Sequence, residues 1–565
     1  MSDIFQQSIR ARRSCEFESQ PRAKAVSGNL SRLFQGRFFP VLAAAGVLAG
    51  IAGCGSNLRP TVTPILGSGP ASQPIAYAFV VSSPATSVTA NGYGTVIDYA
   101  GDTIQATAPI GPGPQTFALN SGGSLAWTVN QDGTVSNIPV STQLQAKQIT
   151  YSTLNPYNGV NPVIGLVGGS LGLYALDVNL NQVDVLSGTP DAFKLDVPVD
   201  TTPVTAAGVP GGSRFYTISQ SVPYITGCAT AAGCAPAQIT LDGKTVDAAV
   251  ACNIDPYSAD LAGYVGVADG IESATYTRSS QIPLGVCPVY AIGTPDAKRV
   301  YVLNRGSDTI SVINSQNNAI DSCTCPPSGC TNQSGQTYTC HPTLKVSPAS
   351  GLAHAGPVYA EYNAPTQQLV VSNFDGNSIS IIDVSLDEYG NDSSTFGTTY
   401  TVPVGLNPGV GANPASVTVL ADGSRAYVAN QSDGSVSIVN MASHSIETTL
   451  PVTGNPRTVV SIQNSNYGKV YVVSPNSPYI TIIRTDQDII STTVLVQGNA
   501  IDARITSPDT SSSNSNIVSR LPGAGQPCFL PMSAYTTGTP LTLANCKARD
   551  VSVLTSSTSV KSAGR

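Results

Sequence analysis

A short Gly/Asn-x-Pro turn, an alternating strand, a small-residue turn and a second strand of Tyr-Val character recur eight times along this chain. The clearest copies are "GVCPVYAIGTPDAKRVYVLNRGSDTISVINSQNNAI" (285–320), "GANPASVTVLADGSRAYVANQSDGSVSIVNMASHSIETTLPV" (411–452) and "GNPRTVVSIQNSNYGKVYVVSPNSPYITIIRTDQDIISTTVLV" (454–496). Self-similarity at a period of about 40–50 residues, with strands throughout, means radial or stacked repetition of one β unit. Each unit adds its own slice of core, so one body can far exceed the usual domain of roughly 100–200 residues. Composition agrees: 53 Gly and 41 Pro against 3 Met make a turn-rich chain with little helical material.

The Tyr-Val strands fall at 76–81, 125–129, 171–176, 214–218, 299–303, 368–372, 425–429 and 469–473. The turns before the strands that precede them carry Pro114, Pro162, Pro203, Pro288, Pro357, Pro414 and Pro456. Only the first copy lacks its leading strand, and "GNAIDARITSPD" (498–509) has the character of the missing piece. A C-terminal strand that completes the N-terminal blade would close a ring and remove its exposed edges. The expected fold is an all-β propeller of four-stranded blades, eight by repeat count, with seven as the alternative because 203–285 is interrupted. After each Tyr-Val strand comes a turn such as "NRGSDT" (304–309), "NFDGNS" (373–378), "NQSDGS" (430–435) or "NQDGT" (130–134), whose leading Asn is expected to bond its own backbone.

"YVLNRGSDTISVIN" (301–314) and "YVANQSDGSVSIVN" (427–440) carry the signature of the YVTN-type β-propeller repeat family, which the chain resembles over residues 75–508. The resemblance implies an extracytoplasmic or surface-layer propeller, and it is on this family that the lactonase alternative below rests, because propellers of similar repeats include lactonases.

Residues 38–54, "FFPVLAAAGVLAGIAGC", form an apolar run behind Arg32 and Arg37 that is short for a bilayer span and has the flanks of a secretory signal. Ile51-Ala52-Gly53-Cys54 resembles the lipobox of a bacterial lipoprotein, which implies cleavage before Cys54 and lipidation of it. Acyl chains contribute about 0.8 kcal/mol per buried methylene, so a multiply acylated Cys54 is a stable anchor. The expected organisation is a signal peptide at 1–53, a flexible Pro/Gly/Ser tether at 54–74, the propeller at 75–508 with Cys-bearing insertions near 219–286 and 315–355, and a Ser-rich linker and stapled tail at 509–565. This places a monomer on the bacterial cell envelope, at the outer membrane or cell surface, with periplasmic or secreted forms as alternatives. Without residues 1–53 the chain carries 20 basic and 31 acidic residues, a net charge of −11, and no Lys/Arg cluster. The electrostatic footprint of a nucleic-acid-binding protein is missing.

Ten further cysteines form an even set that an oxidising compartment reads as disulfides: Cys228, Cys234, Cys252, Cys287, Cys323, Cys325, Cys330, Cys340, Cys528 and Cys546. The group at 323–340 with His341 has enough ligands for zinc, but its spacing fits no paired C-x-x-C knuckle, so no metal or other cofactor is assigned. Asp132, Asp308, Asp375 and Asp433 recur at equivalent turn positions, where Asp is favoured for local reasons. No phosphate-loop or H-E-x-x-H motif occurs, none of the three histidines sits in a recognisable Ser or Cys elbow, and no catalytic residue is assigned. The sequence therefore favours a binding or scaffold module over an enzyme. Its insertions are expected to shape one face for a protein or glycan, with Tyr216, Tyr224 and Tyr257 as a candidate aromatic patch. The alternative is a periplasmic lactonase-like hydrolase, which rests on fold analogy.

Overall fold

The computed structural model describes residues 77–84, 90–114, 116–119, 123–130, 134–140, 147–150, 163–168, 172–177, 181–188, 191–208, 213–222, 238–247, 251–323, 330–462 and 468–506. Among them, eight four-stranded antiparallel sheets form a propeller. The first strands of successive blades touch in an unbroken cycle, which makes them the wall of the ring.

Blade 1 draws its first strand, Asn499–Ile505, from the far end of the chain and sets it against Tyr77–Ser83, followed by Asn91–Asp98 and Thr103–Pro112. The pairing runs Ala78↔Ile505, Val80↔Ala503, Ser82↔Ala500, so the ring closes by the exchange read from the repeats. Blades 2 to 8 open on strands Thr116–Leu119, Val163–Gly168, Pro203–Gly208, Pro288–Gly293, Pro357–Asn363, Pro414–Val419 and Thr458–Ile462. All eight Tyr-Val segments are second strands. In blades 2 to 8 a proline opens the first strand or falls one or two residues before it, a position where its missing N–H leaves no ladder bond unmade.

Antiparallel strands that start innermost put the second-to-third turns and the interblade connections at one end of the ring, here the upper face. The first-to-second and third-to-fourth turns lie on the lower face. Tyr216, Tyr301, Tyr427 and Tyr471 are among the largest fully buried side chains. Tyr427 packs with Val459, Val470 and Ile483 of blade 8, and Tyr471 with Ala78, Ala503 and Ile505 of blade 1. The repeated Tyr is thus the side chain that one blade sends into its neighbour.

Two residues earlier, a repeated basic side chain fastens the lower face. Arg214 donates from Nη1 to the Ser315 carbonyl at 2.9 Å, Arg425 from Nη2 to the Thr485 carbonyl at 2.6 Å and through Nη1 to Asp488, and Lys469 to the Tyr99 carbonyl at 2.5 Å and Asp102 at 2.7 Å. Each acceptor lies in the third-to-fourth turn of the next blade. Asp102 and Asp488 have φ of 52° and 54°, the left-handed conformation that Asp tolerates better than most residues. Lys469 to Asp102 joins blade 8 to blade 1 and so doubles the ring closure.

The leading Asn of the upper turns behaves differently from the sequence expectation. Its side chain crosses to the third strand, and Oδ1 of Asn304, Asn373 and Asn430 makes no hydrogen bond to the backbone. Asn304 donates to Thr309 and Ser311, Asn373 to Ser378 and Ser380, Asn430 to Ser435 and Ser437, and Asn130 to Ser136, at 2.9–3.2 Å. The alternating Ser or Thr of the third strand places two hydroxyls on one side, and a side-chain amide with two donors matches that pair.

Blade 3 holds a carboxyl out of water. Asp184 is fully buried, accepts from Gln182 Nε2 at 2.7 Å, and is pushed up to about 8, first by burial and then by Asp196 opposite it on the next strand. A carboxyl whose folded pKa exceeds its unfolded value of about 3.9 binds its proton more tightly in the native state. Its contribution is complete below pH of about 4 and is lost as pH rises toward 8, at up to about 1.4 kcal/mol per pH unit. Asp184→Asn is expected to match the parent at pH 4 and to exceed its stability by a few kcal/mol at pH 8. Urea denaturation at both pH values checks this.

Candidate ligand-binding face

On the upper face of blades 4 to 6 an interlocked set of polar side chains comes together. Blade 4 has its insertion between the second strand, Arg214–Ser219, and the third, Val265–Glu272. The insertion contributes Leu241, Ala251, Cys252 and Leu261 to a small core with Val222 and Cys287. Cys252 is disulfide-bonded to Cys287, which is buried immediately before blade 5. The bridge therefore ties the insertion to the ring, and closing a span of 35 residues contributes roughly 3–4 kcal/mol.

From that anchor Tyr257 reaches over blade 5 to blade 6. Its hydroxyl donates to Asp375 Oδ2 at 2.7 Å, and its ring stacks on His354 with centroids 3.7 Å apart. Asp375 also accepts from Arg305 Nε and Nη2, both at 2.9 Å, a bidentate pair. Arg305 is 1% exposed, and its guanidinium lies 5.6 Å from the centroid of the Phe374 ring. Burial opposes the Arg305 charge, but Asp375 more than offsets it and the net shift is upward. Burial, and then the Asp375 charge, push Tyr257 far above the ordinary phenol range. The hydroxyl therefore keeps its proton and donates it in the bond to Asp375.

His354 turns Nδ1 to Asp308 Oδ2 at 2.9 Å, while Asp308 Oδ1 accepts the N–H groups of Ala355 and Gly356 at 3.0 and 2.8 Å. Gly356 has φ of +60°, and a Cβ there would stand 2.0 Å from Asp375 Oδ2, so only glycine admits the carboxylate. Asp433, two blades further on in blade 7, accepts from the Leu406 N–H at 2.8 Å, in the connection that enters its own blade. The recurring aspartates thus hold connections and neighbours in place, and among the described residues no group of three potential metal ligands forms. Asp132 lies outside the described residues.

Beside this polar set the connections into blades 6 and 7 meet, with Gly409 against Ala349. They expose Leu352, Leu406 and Val410, the last two to 53% and 61%. The chemistry available is a preorganised rim of paired charges, an aliphatic surface, and one imidazole whose Nδ1 is engaged and whose ring is a third exposed.

The structure divides the second insertion: His354 near its end meets Tyr257 of the first on the upper face, while residues 321–342 lie elsewhere. In blade 5 the fourth strand is split: Ala319–Ile320 pairs with Ile313 and Asn314, and Thr343–Lys345 pairs with Thr309 to Ser311. The excursion between the halves leaves the outer edge and docks on the lower loop of blade 6. There Asn332 donates to Asp387 at 3.1 Å, and both the backbone N–H and Nδ1 of His341 meet Asp392 Oδ2 at 3.0 and 2.8 Å. Cys323 and Cys340 staple its base, and Cys330 is also disulfide-bonded. Arg299, 2% exposed, lies between Asp321 and Asp392 at 3.4 and 3.5 Å. Burial, helped by Asp321, pushes Asp392 up to about 6 against the pull of His341 and Arg299.

The aromatic patch also resolves differently. Tyr216 is a core residue of blade 4 because its strand position faces the neighbouring blade, and Tyr257 is spent on Asp375 and His354. The segment 265–286, read as insertion, supplies the third and fourth strands of blade 4. Tyr224, Cys54, Cys228, Cys234, Cys325, Cys528 and Cys546 lie outside the described residues. Sequence reasoning missed the Tyr257–Asp375–Arg305 and Asp308–His354 sets, whose members stand 46 to 118 positions apart. The equivalent turn aspartates were the available signal.

No family model and no curated protein matches the chain. Solved structures do. The dihydro-heme d1 dehydrogenase NirN in complex with DHE is 12% identical over 79% of this chain and 78% of its own, with a TM-score of 0.50. Apo AztD from Citrobacter koseri is 12% identical over 77% and 98%, at 0.47. A protein assigned as a 6-phosphogluconolactonase from Bacteroides fragilis NCTC 9343 is 12% identical over 77% and 99%, at 0.42. At its 12% identity the likeness to NirN is one of fold alone.

Proposed function

We propose that this propeller is a binding module of the bacterial cell envelope, held there by a lipid on Cys54, and that its ligand surface is the upper face of blades 4 to 7. The carrying observation is that the blade 4 insertion is bridged to blade 5 and clasped to blade 6, which presents Leu352, Leu406 and Val410 on a fixed support. A protein partner suits this surface better than a glycan. Exposed aliphatic side chains in a polar rim are what protein interfaces bury, whereas the carboxylates and guanidinium that would grip sugar hydroxyls already bind one another. Purified protein labelled with a photo-crosslinker at Asn407 is expected to give one dominant adduct in its own envelope fraction. Leu406→Asp with Val410→Asp should reduce that adduct at least tenfold, and Ile104→Asp on the outer edge of blade 1 should not. Equal adduct yield from both variants would end this reading.

The Asp308–His354 pair supports a second reading, a hydrolase, since a carboxylate on Nδ1 orients an imidazole for general-base work. Turnover of simple γ- or δ-lactones that His354→Gln abolishes would favour it over binding.

A further inference from the structure

The outer edge of blade 8 is built unlike the other seven. An unpaired edge strand invites another strand, and proteins blunt such edges with charge, proline or brevity. Blade 1 ends on a strand with Pro109 and Pro112, blade 2 with Lys147, blade 3 with Asp191, Lys194 and Asp196, and blade 4 with Arg278 and Pro283. Blade 5 ends on two short halves, blade 6 on a strand with Pro403, and blade 7 on one with Glu447 and Pro451. Blade 8 ends on Ile489–Leu495, "IISTTVL", seven residues with neither charge nor proline. Ile489, Ile490 and Leu495 are exposed along it, with Tyr479 exposed across from Leu495.

We propose that this edge is the docking site for the chain's own C-terminal segment Val551–Leu554, which adds as a fifth strand. Three observations select that occupant. The segment reads Val-Ser-Val-Leu, the alternation of the third strands "SVSIVN" (435–440) and "TISVIN" (309–314). The described chain leaves the ring at Thr506, on blade 1, the neighbour of blade 8. A flexible chain of 45 residues, the separation from there to Val551, has a mean span of about 35–40 Å, against about 15 Å across the four strands of a blade. Size argues against an untethered partner. Seven residues make an edge about 23 Å long and about 10 Å deep, a few hundred Å² where a stable interface between separate chains buries about 1,200 Å² or more. A tethered segment works at millimolar effective concentration and needs no such area. Main-chain pairing supplies the binding, and the side chains of Val551 and Val553, two apart, fall on one side toward Ile490 or its neighbours.

Hydrogen exchange on the full chain tests the proposal. Peptides covering 489–496 and 550–555 should both be protected, and Val553→Pro, which removes a ladder donor outside the ring, should speed exchange in both at least tenfold without moving the thermal midpoint. Ile490→Lys should release the tail in the same way, read as faster cleavage after Lys547 or Arg549 by trypsin. Fast exchange of 489–496 in the unaltered chain would overturn the proposal, as would protection that survives Val553→Pro. Protection that grows with protein concentration would instead assign the edge to a second copy of the chain and overturn it equally.

Discussion

Asp375→Ala is expected to lower stability by about 3–5 kcal/mol, the penalty for leaving a buried charge without its partner. Arg305 is 1% exposed, and the described structure gives its guanidinium one carboxylate, bound through two parallel hydrogen bonds. With Asp375 gone, Arg305 must either remain buried and unpaired or pull the Arg305–Ser307 turn out toward water. The Tyr257 hydroxyl loses its acceptor in the same step. Tyr257→Phe, which removes one neutral-to-charged hydrogen bond and keeps the stack on His354, is expected to cost about 1–2 kcal/mol. If the charge pair is the cause, Arg305→Met combined with Asp375→Leu should recover most of the loss, because apolar replacements of a buried pair are often neutral. Urea midpoints for the parent, both single variants and the double variant check this series. Exchange of amides in 255–264 should rise in Asp375→Ala, since the insertion then loses its hydrogen bond to blade 6.

The repeat made the ring legible before any coordinates. Proline at the first strand, Tyr-Val at the second and Asn at its end each have a cause that acts within one unit or on the next: a missing N–H, a side chain sent into the neighbouring blade, and an amide matched to two hydroxyls. Causes of that kind leave a period in the sequence. The candidate site leaves none, because it forms where the period is broken. Tyr257 comes from an insertion in blade 4, and His354 from the long connection before blade 6. Nothing local to "DPYSAD" (255–260) reveals that its tyrosine ends up on an aspartate 118 residues away. The excursion at 321–342 went to the wrong face for a related reason. Its cysteines advertise a staple, but only the split fourth strand of blade 5 shows that it leaves from the outer edge.

Removing residues 498–565 is expected to abolish the folded ring, a larger effect than any single substitution described above. The lost strand Asn499–Ile505 is the wall of blade 1 and buries Ala500, Ala503 and Ile505. Its loss also bares Ala78, Val80, Val460, Tyr471 and Val473, which share its core. At roughly 1.5–3 kcal/mol for each large side chain returned to water, with the ladder to Tyr77–Ser83 also lost, the total is on the order of 10 kcal/mol. A domain's whole stability is about 5–15 kcal/mol, so the remaining strands should not hold the ring. Lys469→Ala gives the contrast. It removes the clasp to Asp102 and Tyr99 but leaves the strand in place, and about 1–3 kcal/mol is expected, with the ring intact. Size-exclusion chromatography with light scattering should show a monodisperse monomer for Lys469→Ala and aggregate for the truncation. A synthetic peptide of residues 498–508, added during refolding, should restore the monomer, because blade 1 needs that strand and not its covalent link to blade 8. A truncated chain that stays monomeric and folds cooperatively without the peptide would mean that the seven complete blades hold the ring alone.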